Sequence, residues 1–270
     1  YHGPDIFADP HTKAFLLIQA FLERARLPIS DYVNDTKSVV ENVPRLLAAM
    51  EYIASSDMTV EGSFELLTQF ARTRQYFETR SLPGDNPLLQ IGLPEAVVRS
   101  LTGGAKGKKD AVREISQLRL LNRKDALALL NKVNHAKGGK QLFDPLLDRL
   151  YAIPTLKLQK ANVTSEIEKT TGKSLGKLKL SLAVERTGGK NASRSSDMSL
   201  TILVGTMQQR ILLSKASIRL SRWGKWDINK ELDFDWNAAN ADGGSILIRF
   251  LFNKFRGFDQ ETKVEMKPNG

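Results

Sequence analysis

Few residue combinations in this sequence could carry out chemistry, and the spacing tests each of them. Gly172-Lys173-Ser174 has the end of a phosphate-binding loop, but Ile167 stands where that loop needs its first glycine. The residues after Ser174 alternate as a strand, so no helix N-terminus follows to hold a phosphate. Gly103 to Lys109 is Gly-rich and basic, yet it follows a helix and lacks a Ser or Thr after its Gly-Lys pair. Neither stretch reads as an ATP site, and the sequence contains no G-x-S-x-G, no H-E-x-x-H and no Cys/His pairing. Asp233 and Asp235 alternate on a predicted strand and share one face, a pattern far commoner in solvated carboxylates than in acid–base pairs. With no cysteine and three scattered histidines, thiolate and His-rich metal sites are excluded. The expectation is a chain that is not an enzyme and holds no cofactor or metal of its own.

Binding chemistry remains. Ser38, Arg45 and Tyr52 recur at seven-residue spacing, with Asn42 close to that row and Lys37 off it. Arginine can meet phosphates or stack on bases, so such a row could follow a strand of nucleic acid. The same pattern also suits a solvated outer helix face. Lys106, Lys108 and Lys109 could touch phosphates as point charges on a flexible loop. Arg219, Arg222 and Lys225 alternate with Trp223 and Trp226, a mix suited to a nucleic-acid or protein contact if exposed, or to closing a core at a strand end.

The first row needs a long helix beneath it. In Asp35 to Ser55, Val39, Val40, Val43, Leu46, Leu47, Met50, Ile53 and Ala54 fall on one face, and Ser38, Glu41, Asn42, Arg45, Ala49 and Tyr52 on the other. Asp35 is the expected N-cap, and Pro44 should bend the helix by removing a bond to the Val40 carbonyl. His11 to Ala25 is apolar nearly all round and should be the centre of a helical cluster. Thr59 to Tyr76 is a further helix, and Ser81 to Pro94, with three prolines and two glycines, is a connector. Short helices follow over residues 94–101, 110–118, 123–134 and 141–152, with Asn122 as a cap. From Pro154 the period changes to two, giving strands over 156–163, 177–185, 200–204, 210–213, 216–220, 231–236, 245–252 and 262–266. Seven or eight short strands without an intervening helix indicate an antiparallel sandwich of immunoglobulin type. The polar stretch 186–199 is expected to be a mobile loop.

At 270 residues the chain is large enough for two or three modest domains. Its net charge of +10 is uneven: residues 1–100 sum to −4 and the remainder to +14. A basic C-terminal part favours a polyanionic neighbour such as RNA, DNA or the ribosome, although lysine-rich faces also serve solubility. No run approaches the length of a membrane span and the start does not look like a signal peptide, so an intracellular, cytoplasmic or nuclear protein without membrane contact is expected.

Several blocks carry a family resemblance. DPHTKAFLLIQAFLERARLPISDYVNDTKSVVENVPRLLAAMEYIA (from Asp9) is similar to the C-terminal Sec sixty-three homology unit of Ski-two-like RNA helicases with two helicase cassettes. NPLLQI (Asn86 to Ile91) resembles that family's short connector, and LFDPLLDRLYAIPTLKL (Leu142 to Leu158) its last helix leading into the first strand. RGFDQETKVEM (Arg256 to Met266) resembles the G-x-D-Q-E that introduces its final strand. The DYVNDTKSVVEN version most resembles the branch with the helicase subunit of the activating signal cointegrator complex and its fungal ribosome quality-control counterpart; the spliceosomal U5 helicase branch comes second. The resemblance implies an α+β multidomain chain: an incomplete helical bundle over 1–92 whose helix 35–55 is a ratchet lining a strand tunnel, a helix-loop-helix subdomain over 93–153, and an immunoglobulin-like sandwich over 154–270. It also implies a non-catalytic helicase module, with ATP and Mg held in the parent's helicase domains. Its partners would be those core domains, single-stranded RNA or DNA, and other subunits of the cointegrator or ribosome quality-control complex. Arg45, with Asn42, Ser38, Tyr52 and Lys37, would contact the strand. Apolar faces left open by the incomplete bundle would be covered by helices preceding this segment.

Overall fold

A computed structural model describes residues 9–103, 112–133, 139–167, 172–186, 198–220 and 224–266, without the side chains of 139–141. The expected basic loop with Lys106, Lys108 and Lys109, the residues Arg222 and Trp223, and nearly all of the 186–199 stretch lie outside this set.

Three helices open the chain: α1 (Pro10–Leu22), α2 (Ser30–Ala54) and α3 (Ser63–Thr79). The Asp9 carboxylate caps α1 by accepting from the amides of His11 and Thr12. α2 starts five residues before the expected place, after extended Ile29, and has no side-chain cap. Asp35 is therefore not an N-cap. It sits inside the helix, where its carboxylate pairs with Lys13 of α1 at 2.6 Å. Pro44 lies within α2 without ending it. α1 is not the buried centre of a cluster either: among the described residues of α1 only Leu17 and Leu22 are buried, and Phe15 is 59% exposed, because α2 and the end of α3 cover only part of its surface.

A 3-10 turn (Pro87–Ile91) leads to four short helices, α4 (Glu95–Leu101), α5 (Ile115–Leu120), α6 (Arg123–Val133) and α7 (Gly139–Tyr151). Their core is formed by Leu88, Leu118, Leu130, Phe143 and Leu147, and Asn122 caps α6 through its contact with the Asp125 amide. The connector before them is held from two sides. Arg24 donates to the carbonyls of Thr79, Arg80 and Leu89, and Arg256 donates to those of Leu82 and Asp85.

Among the described residues, seven strands form two antiparallel sheets that face each other across one core. β1 (Thr155–Ile167), β2 (Ser174–Arg186) and β5 (Gly224–Asp235) pair in the order β1-β2-β5. β3 (Met198–Thr206), β4 (Leu212–Leu220), β6 (Ser245–Phe252) and β7 (Gln260–Glu265) pair as β4-β3-β6-β7. The two strands expected at 210–213 and 216–220 are one strand, β4, whose irregularity against β3 falls at Val204/Gly205. A short helix, α8 (Trp236–Ala241), follows β5, and Asp235 caps it by accepting from Asn237 and Ala238. Asp233 and Asp235 are both exposed on the same face of β5, as expected, and the Asp235 carboxylate is taken up by that cap. β6 reads as an apolar run broken only at Arg249 because both its faces are covered: Ile246, Ile248, Phe250 and Phe252 enter the intersheet core, whereas Leu247 and Leu251 pack beneath α3. Phe255 and Phe258 touch both the intersheet core and the α4–α7 core.

Candidate nucleic-acid interface

α2 is the element with the most to offer a ligand. Its contacts with α1 and α3 bury Thr36, Val43 and Leu47, which lie along one narrow stripe of the helix. Ser38, Asn42, Arg45 and Tyr52 are all exposed, with Tyr52 at 77%. Along a straight helix, successive members of the Ser38–Arg45–Tyr52 row stand about 10.5 Å apart. Arg45 forms no ion pair or hydrogen bond among the described residues, so its five donors face solvent. The Asn42 side-chain amide donates to the Ser38 carbonyl at 2.8 Å, which leaves its oxygen as acceptor. Lys37 pairs loosely with Glu41 at 3.8 Å, and both side chains are largely exposed, so the pair is weak.

The face beside this row differs from expectation. Leu46, Met50 and Ile53 were expected to point inward, yet Leu46 is 59% and Ile53 69% exposed. α2 has 25 residues and packs mainly on α1 and α3 among the described residues, and the C-terminal half of its apolar stripe is left uncovered by them. The polar row is thus bordered by an open apolar strip.

Glu51 is the least exposed acid on this helix. Only 14% of its side chain is exposed, and it pairs with Arg74 of α3 at 3.2 Å and with Lys215 of β4 at 3.3 Å. A lone carboxylate four residues after buried Leu47 was the signal that could have revealed it. A second such signal is Arg249, the single charge in the run SILIRFLF. Its guanidinium donates to Glu65 and Thr68 of α3 and to Glu261 of β7.

The C-terminal basic positions are dispersed. Arg219 is exposed near the end of β4. Lys225 pairs with Glu185 at 3.1 Å, and Trp226 packs partly against the intersheet core, as a core-closing tryptophan would. The outer face of β1-β2-β5 carries two open hollows of about 440 and 520 Å³. One is lined by Lys160, Lys179, Lys230 and Glu231, with Lys179 paired to Glu231 at 3.5 Å, and in the other Lys225 pairs with Glu185. Gly172 and Lys173 lead directly into β2, which leaves no helix start at that motif. No metal-holding cluster and no helix long and apolar enough to cross a membrane occur among the described residues.

Comparison with known proteins agrees with the resemblance read from the sequence. A family profile described as the Sec63 Brl domain matches residues 4–265. Activating signal cointegrator 1 complex subunit 3 of Rattus norvegicus is 51% identical over 54 residues, 20% of this chain. The RQC trigger complex helicase SLH1 of Saccharomyces cerevisiae is 53% identical over 47 residues, 17% of this chain. The DExH-box ATP-dependent RNA helicase DExH14 of Arabidopsis thaliana is 35% identical over 99 residues, 34% of this chain. These matches span 2%, 2% and 5% of the relatives' own lengths.

Proposed function

The chain belongs to the Sec63 Brl domain family, and from that premise we propose that it is the non-catalytic C-terminal module of a large ATP-dependent RNA or DNA helicase, of ribosome quality-control or alkylation-repair type. In this reading α2 guides the single strand, the seven-stranded part is an immunoglobulin-like sandwich that docks partner subunits, and the three units divide near residues 92 and 153. ATP and Mg belong to helicase domains elsewhere in the parent, since the Gly172–Ser174 motif has no helix to hold phosphates. The relatives named as helicases support the parent's activity, and those named as complex subunits support partner docking. The observation that carries strand guiding is Arg45, solvent-facing and unpaired among the described residues in a row with Ser38 and Tyr52.

The test is Arg45→Glu in the helicase that carries this chain. Loss of one charge-assisted phosphate contact weakens strand engagement on the order of tenfold, so unwinding falls while expression and partner binding stay normal. Unchanged unwinding sinks the guiding role. A second reading, a scaffold without nucleic-acid contact, is favoured by the open apolar strip beside the row, which suits a protein neighbour better than a polyanion. The equivalent unit of a spliceosomal U5 helicase would share either role.

A further inference from the structure

The family blocks ending in RGFDQETKVEM, and the two inward charges Glu51 and Arg249, are not explained by strand guiding or by partner docking. Together they fasten the helices to the outer face of the four-stranded sheet. At the start of α3 the amides of Gly62 and Phe64 donate to the carbonyls of Gln209 and Arg210 in the β3–β4 turn, and the Ser63 hydroxyl accepts from Leu212. Phe64 is fully buried and lies on Gly205 of β3. A Cβ at Gly205 would come 2.4 Å from the Phe64 ring, so the helix can approach this closely only over a glycine.

One turn further, the Arg249 guanidinium stacks over the same ring at 4.9 Å while bonding to Glu65 and Thr68. Near the far end of α3, Gln75 donates to the Phe252 carbonyl and to Asp259. Glu51 then ties α2 to both α3 and β4.

We propose that the four-stranded sheet sets the orientation of α2, with Gly205, Arg249 and Glu51 as positioning residues for the Ser38–Arg45–Tyr52 row. The functional meaning of this arrangement rests on the strand-guiding reading; the mechanical claim does not. A partner that grips the sandwich would then be gripping the frame in which Arg45 is aimed.

The absence of cysteine allows a direct measurement. Spin labels at Ala48→Cys on α2 and Ser217→Cys on β4, both exposed positions, report the helix–sheet distance by double electron–electron resonance. The expected result is one narrow distance in the parent chain, a broadened or shifted one in Glu51→Gln and in Gly205→Ala, and no change in Glu95→Gln, which removes an exposed pair on α4. Glu51→Gln is nearly isosteric and decides the matter if Gly205→Ala does not fold. An unchanged distance in folded Glu51→Gln overturns the proposal. Photocrosslinking of an oligouridine strand to α2 in the same samples keeps the two readings apart. Shifted distances with unchanged crosslinking remove strand guiding and leave the positioning claim standing, whereas unchanged distances remove positioning whatever the crosslinking.

Discussion

Arg45 and Glu51 lie six residues apart on one helix and have opposite fates. The first is solvent-facing and the second is tied to two neighbours. Periodicity separates them, because it tells which side of a helix a residue takes. It does not tell how much of the apolar side will be covered, which is why Leu46 and Ile53 were misplaced. Two carboxyls near Arg249 give opposite pH responses. The Arg249 hydrogen bond holds Glu65 below the ordinary carboxylate range, so its contribution is present above the unfolded value and lost as pH falls through the lowered one. Burial raises Asp259 above its ordinary 3.8, so the folded chain is penalised as pH rises from there through the raised value. Asp259→Asn keeps an acceptor for Gln75 and removes that penalty. Its thermal midpoint relative to the parent should be more favourable at neutral pH than at about pH 4. Glu65→Gln should do the reverse, costing more at neutral pH than in acid. Parallel pH profiles for parent and variants would contradict both assignments.

At the scale of elements, the sequence was legible wherever a pattern outweighed single exceptions such as Arg249 in β6. The alternation in β2, the apolar run of β6 and the Asn122 cap of α6 all appear where the residues put them. The start of α2 was missed because Ser30 to Asn34 carries no cap, and Asp35 looked like a better beginning than the contact with Lys13 that it makes. The Val204/Gly205 irregularity hid the continuity of β4, since a register shift breaks the period-two pattern without breaking the strand. Pro44 supplies the prediction at this scale. It is exposed within α2, so its ring fills no core, and its missing amide leaves the helical bond to Val40 unmade. Pro44→Ala should raise unfolding stability by about 1–3 kcal/mol, read from denaturant midpoints. A fall instead would show that the packing of α2 on α3 requires proline at this position.

For the whole molecule, the exposed strip Leu46–Met50–Ile53 is the feature most at odds with a self-sufficient fold. Isolated chains should therefore associate weakly through it. The pair of changes Leu46→Glu and Ile53→Lys should abolish concentration-dependent sedimentation while shifting stability by no more than about 0.5 kcal/mol. A parent chain that sediments as a monomer at every concentration would remove the strip as an adhesive face. The intersheet core and the α4–α7 core also meet, through Phe255 and Phe258, and two arginines hold the connector. That last arrangement has a practical consequence. Pro/Gly-rich joints are usually where digestive enzymes nick a chain, because such enzymes must draw several residues out as a bare extended ribbon. Here the carbonyls of Thr79, Arg80, Leu82, Asp85 and Leu89 are occupied by guanidinium groups from distant parts of the chain. Scission at this joint must therefore wait for those parts to let go, and its rate becomes a clock for global opening rather than for local fraying.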